Sequence, residues 1–162
     1  MPEYNFITYL KINASREEVW ELIKDLRKWP EWWRGVLDVR EISKGSNDDH
    51  GTRFAHIWRS LLPYKLKFVT EITGLVPYKS IEASVTGELE GIGRWEFSYN
   101  GDSCTSLIYY WRVKTNARWM NLTAPVLSRI FRWNHDTVMR WGALGIARNL
   151  KCRVEFRSEW IR

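Results

Sequence analysis

The chain is short of several things that would place it quickly. It has two cysteines and five prolines in 162 residues. No apolar run approaches the roughly 18 residues that a membrane-crossing helix needs. Cys104 and Cys152 are too few for a disulfide framework and too far apart for a CxxC motif, which suits a reducing, cytoplasmic compartment. The N-terminus MPEYNFITYLKI has no basic stretch followed by an apolar one, so no secretory leader is expected. His50, His56 and His135 lack metal-ligand spacing, and neither HExxH nor a Cys/His cluster occurs. Rieske and haem motifs are missing as well, so no metal and no cofactor is expected. The glycine-rich stretch GELEGIG (87–93) lies between strand patterns rather than before a helix, and reads as a strand-to-strand turn, not a phosphate loop.

What the chain has in excess is aromatic side chains, which make up 15% of it and include 11 Trp. Each indole brings an N–H that wants a partner, so a small core seldom takes so many. A fold with a hollow to line would use them more naturally. Charge is the second asymmetry. Residues 1–111 carry 14 Lys and Arg against 16 Asp and Glu, whereas residues 112–162 carry 11 against 3. The basic excess therefore lies in the last third. It is either a solvated helix face or a surface for an anionic membrane or an acidic carrier protein. Nucleic acid is not expected, because the basic residues are scattered and no binding motif accompanies them.

Along the chain, residues 5–12 alternate as a strand. Ser15 and Glu18 then form a capping box that opens a helix with Val19, Trp20, Leu22, Ile23 and Leu26 on its apolar stripe. Pro30 restarts the chain as a second short helix. Period-2 patterns follow for roughly eighty residues. They place Phe54, His56 and Trp58 on one face, then Leu66, Phe68, Thr70 and Ile72, then Ile81, Ala83, Val85, Gly87 and Leu89. Trp95, Phe97 and Tyr99 come next, followed by Leu107, Tyr109, Trp111 and Val113. Such alternation predicts an antiparallel sheet with one buried face.

From about Ala124 to Lys151 the period becomes helical, with Pro125 in the first turn. Leu127, Ile130, Phe131, Asn134, Val138, Trp141, Gly142 and Gly145 share one arc, and Arg129, Arg132, Asp136 and Arg140 lie opposite. A helix of that length spans roughly 40 Å, enough to cover the sheet. With no linker, repeat or low-complexity segment, residues 1–162 read as a single domain.

The stretches INASREEVWELIKDLRKWPEWW (12–33), VTGELEGIGRW (85–95) and WMNLTAPVLSRIFRWNHDTVMRWGALGIARNL (119–150) resemble the SRPBCC superfamily, the START and birch-pollen-allergen-like helix-grip domains. The similarity is closest to bacterial proteins of the polyketide cyclase/dehydrase and lipid-transport-like kind. It covers nearly the whole chain. It implies an α+β helix-grip fold, with a curved antiparallel sheet of about six to seven strands wrapped around a long C-terminal helix and two short helices after strand 1. It also implies a deep apolar cavity between sheet and helix. The superfamily hosts carriers, hormone binders and enzymes on one scaffold, so the fold does not choose among them.

The expected ligand is a hydrophobic small molecule such as a lipid, polyketide or isoprenoid. His56, Trp58, Phe68, Trp95, Phe97, Tyr109, Trp111, Phe131, Asn134 and Val138 are the candidate ligand-binding residues. Asn134 sits in the apolar stripe, where a buried amide needs a partner, either a neighbouring group or a ligand carbonyl. His135 and Asp136 are adjacent, so on a helix they point about 100° apart and form no relay with each other. The alternative is a polyketide cyclase/dehydrase-type enzyme using cavity His and Asn groups. His56, His135 and Glu96 are its acid/base candidates, although Glu96 alternates with Trp95 and Phe97 and so should face outward. No catalytic set is assigned, and whether the chain is an enzyme stays open. Gly142 and Gly145 each cost about 1 kcal/mol in a helix, so either the sheet approaches closely there or the cavity is given room.

Overall fold

The computed structural model describes residues 3–116 and 118–161. For 118–127 only the helical backbone is described, so the expectation for the Leu127 side chain lies outside the described residues. β1 (Glu3–Ile12) is followed by α1 (Arg16–Lys24), a 3-10 turn (Leu26–Lys28) and α2 (Trp29–Trp32). Six strands come next: β2 (Val36–Ser43), β3 (Arg53–Arg59), β4 (Lys65–Val76), β5 (Ser80–Gly87), β6 (Leu89–Tyr99) and β7 (Thr105–Thr115). The chain then runs through α3 (Arg118–Leu150) into β8 (Val154–Ile161). The strands form one antiparallel sheet in the order β2-β3-β4-β5-β6-β7-β1-β8.

The entry into α1 forms as its sequence dictates. The Glu18 N–H donates to Ser15 Oγ at 3.3 Å, and the Ser15 N–H donates to Glu18 Oε2 at 3.1 Å, a reciprocal cap worth about 1 kcal/mol. Val19, Trp20 and Ile23 of α1 are buried against the sheet, and Trp29, Trp32 and Trp33 extend that core.

Three features differ from the sequence expectation. First, the sheet has an eighth strand, so α3 is not the last element. β8 pairs with β1 from Asn5↔Ile161 to Ile12↔Val154. Its alternation is muted because the inward residues Val154, Phe156, Ser158 and Trp160 are only half-buried, while its outer face carries Glu155, Arg157 and Glu159. Charges of that kind guard a sheet edge. Second, α3 begins at Arg118 rather than near Ala124, so Pro125 is not in its first turn. Third, the polar side of α3 meets β8. The Arg132 guanidinium lies over the Trp160 ring, Arg140 lies 4.9 Å from the Phe156 ring centroid, and Asp136 accepts a hydrogen bond from the Ser158 hydroxyl.

The two glycines of α3 answer to neither expected cause. A Cβ on Gly142 would stand 2.6 Å from the Trp33 ring, and one on Gly145 would stand 2.1 Å from the Trp32 carbonyl oxygen. It is α2 and its flank, not the sheet, that press on the helix. The Trp33 indole N–H donates to the Val138 carbonyl at 2.9 Å and secures that contact. The inward arc shifts accordingly. Met139, Ala143 and Ile146 are buried, whereas Ile130 is exposed and Trp141 packs under Arg34 beside Gly35.

Candidate functional site

A pocket of about 160 Å³ lies between the concave face of the sheet and the middle of α3. One wall is a continuous band of rings across four strands. Trp58 of β3 lies 6.0 Å from Phe68 of β4, and Phe68 lies 5.9 Å from Trp111 of β7. Trp111 stacks on Tyr109 at 5.7 Å, and Tyr109 on Trp95 of β6 at 4.1 Å. Alternation places these side chains on one face, and Gly93 allows them to lie flat. A Cβ there would meet the Trp111 ring at 2.9 Å and the Tyr109 hydroxyl at 3.0 Å. The opposite wall is α3, with Phe131, Asn134, His135, Val138 and Met139.

Nine of the ten candidate residues named from sequence line this pocket. Phe97 does not. It turns toward α1 and meets Trp20 edge-on at 5.1 Å. Glu96 faces the outer surface, paired with Arg94 at 2.9 Å, and His50 lies in the exposed β2–β3 turn.

The polar groups of the pocket fall into two sets. On the sheet side, His56 is 2% exposed and stacked on Phe68 at 4.8 Å. Trp58 Nε1 donates to His56 Nδ1 at 3.3 Å, and His56 Nε2 lies 2.9 Å from Thr70 Oγ1. Burial lowers the His56 pKa to about 4, so the ring is neutral near pH 7. Burial also keeps the Tyr109 phenol protonated, its pKa raised well above the usual range.

On the helix side the groups have fewer partners. Tyr4 is buried, and its hydroxyl finds no hydrogen-bond partner among the described residues. The same holds for Asn134 Oδ1 and for both ring nitrogens of His135. His135 stacks on Phe6 with centroids 3.9 Å apart. Burial lowers its pKa, opposed by Asp136, whose Oδ1 lies 3.8 Å from Nδ1. That separation exceeds a hydrogen bond, in keeping with the absence of a relay.

Sequence reasoning missed Tyr4, Phe6 and Thr70 as pocket residues and named His135 only as an acid/base candidate of the alternative reading. Phe6 already lay within the alternation of residues 5–12, and extending that alternation backward by one residue pair would have added Tyr4. Tyr64, in the β3–β4 connection, carried no periodic signal at all. It lines the pocket near Glu88 and Tyr4, and burial pushes its pKa up to about 12.

The chain matches the model of the family described as "Polyketide cyclase / dehydrase and lipid transport" over residues 9–155. Among solved structures it is similar to a START superfamily protein from Mycobacterium smegmatis. The identity is 12%, covering 91% of this chain and 97% of that one, with a TM-score of 0.74. It is also similar to the Zhui aromatase/cyclase from Streptomyces sp. R1128, at 10% identity over 93% and 94% of the two chains and a TM-score of 0.76. A protein from Thermus thermophilus shares 16% identity over 91% and 99%, with a TM-score of 0.66. At these identities the likeness is one of fold. No curated protein matches the chain. The helix-grip architecture and the match over nearly its whole length show that the chain belongs to the polyketide cyclase/dehydrase and lipid transport family.

Proposed function

We propose that the protein binds a hydrophobic small molecule, of the lipid, polyketide, isoprenoid or aromatic class, between the sheet and α3. The observation that carries this reading is an apolar, ring-walled pocket lined by Tyr4, Asn134 and His135, whose buried polar atoms have no hydrogen-bond partner among the described residues. A buried polar atom left unpaired costs about 1–3 kcal/mol, and a ligand with a polar end would relieve it. Apolar burial at about 25 cal/mol per Å² would supply the affinity. The volume is near that of an engineered apolar cavity of about 150 Å³ that takes benzene, so a single ring is a fitting probe. Bromobenzene should quench the fluorescence of Trp58, Trp95 and Trp111 saturably, and excess toluene should relieve the quenching. Quenching that rises linearly and ignores toluene would reject the reading.

One observation favours a catalytic second reading. The His135 imidazole is neutral, faces the pocket and has Asp136 3.8 Å behind it to steady a positive charge. A base so placed could take a proton from a carbon beside a carbonyl. Deuterium exchange into the methyl group of acetophenone, followed by NMR, should then exceed the buffer rate and fall in His135→Phe. Equal rates would remove the catalytic reading and leave the binding one.

A further inference from the structure

We propose that Thr70 presents a hydrogen-bond donor to the pocket, oriented by the Trp58–His56 pair behind it, and that the pocket therefore favours apolar ligands carrying an acceptor such as a ketone, ester or quinone carbonyl. The proposal rests on the pocket being a binding site. The argument is a count of donors. An indole N–H can only donate, so the contact from Trp58 Nε1 at 3.3 Å requires that His56 Nδ1 carry no proton. A neutral imidazole then holds its proton on Nε2, which points at Thr70 Oγ1 from 2.9 Å. Thr70 accepts that bond, so its own proton is left to be given away.

Thr70 lines the pocket, and no other hydrogen bond of its hydroxyl is found among the described residues. His56 cannot easily exchange roles, because it is buried and stacked face to face on Phe68 with ring planes 6° apart. Serial hydrogen bonds polarise one another in a low dielectric, which makes the terminal hydroxyl a better donor than an isolated threonine. A ligand group that can only donate leaves the Thr70 proton unused and must share the oxygen with His56 Nε2. Thr70 thus sets which end of a ligand faces β4, and His56 is the positioning residue behind it.

The test uses two probes of one shape, acetophenone and α-methylstyrene, which differ in a C=O replaced by C=CH2. Their affinities are measured by competition against bromobenzene quenching. The acetophenone to α-methylstyrene affinity ratio should fall about tenfold in Thr70→Val, the worth of one buried hydrogen bond, and should persist in Thr70→Ser. His56→Phe, which keeps the stacked ring but removes the relay, should lower the ratio by a smaller factor. An unchanged ratio in Thr70→Val, with both probes still bound, overturns the proposal and leaves the binding site standing. If neither probe binds the wild-type protein, both fail. Nitrogen-15 NMR of the imidazole checks the relay without any variant, and a proton on Nδ1 rather than Nε2 would overturn it.

Discussion

Two ends of the same helix-grip use aromatic side chains in opposite ways. Under α2, Trp33 stacks on Trp32 at 5.4 Å and lies tilted 5.3 Å from Trp29, and the three sit in the core, with Trp29 also bordering the pocket. Trp29 Nε1 donates to the Ile23 carbonyl at 3.0 Å and Trp33 Nε1 to the Val138 carbonyl at 2.9 Å. In the middle of the sheet the same residue types form a band along one wall of a space. There, polar atoms of Tyr4, Asn134 and His135 have no hydrogen-bond partner among the described residues. The number of aromatic residues therefore does not tell a filled core from a lined pocket. Nor do unpaired polar atoms alone, since Trp32 Nε1 at the filled end also has no hydrogen-bond partner among the described residues; what separates the two is whether the rings border a space.

The comparison breaks most severely at the filled end. Gly145→Ala puts a Cβ 2.1 Å from the Trp32 carbonyl oxygen, so α2 and α3 must part. Denaturant melts should show a loss of about 3 kcal/mol, although alanine favours the helix by about 1 kcal/mol. A gain in stability would mean that α2 yields without cost.

A pH titration of stability reaches the boundary between the two ends. Below pH 6.5 the unfolded chain takes up a proton at His56 that the folded ring, with its pKa near 4, refuses. Stability should therefore be at its full value above pH 6.5 and fall by about 3 kcal/mol as the pH drops to 4. His56→Phe should remove that part of the slope, and a slope that survives the substitution would place its origin in other groups.

Trp33→Phe keeps the ring stacking but deletes the N–H to Val138. The expected loss is about 1 kcal/mol, read by thermal or denaturant unfolding. No change would mean that neither the N–H nor the lost part of the indole ring contributes. At the lined end the effect should be smallest. Asn134→Leu removes an amide oxygen that has no partner among the described residues, so stability should stay within about 1 kcal/mol while acetophenone affinity changes. A loss of about 2–3 kcal/mol would show that the amide is a core group.

Most of the architecture was legible in the sequence. The capping box at Ser15, the period-2 runs from β2 to β7 and the helical arc through Phe131 and Val138 all reflect local rules that tertiary packing left intact. β8 escaped because an edge strand that is half-buried on one face and charged on the other lacks the contrast that alternation needs. Gly142 and Gly145 were visible as anomalies, but their cause lies in Trp32 and Trp33, more than a hundred residues away in the chain. The ring band was readable residue by residue, whereas Phe97, on the same alternating run as Trp95, packs on Trp20 of α1, a contact that alternation alone does not reveal. The Trp58–His56–Thr70 relay joins β3 to β4, so only the pairing of His56 with Phe68 brings it into view.

The central claim is that one end of the grip is open to a ligand and the other is not. Methyl NMR of valine-labelled protein titrated with toluene tests it most directly. Val85, Val113 and Val138 line the pocket, while Val19 and Val36 belong to the core around α1 and α2. The account predicts saturable shifts at the first three and none at the other two. Shifts absent from all five, or spread evenly over them, would contradict it.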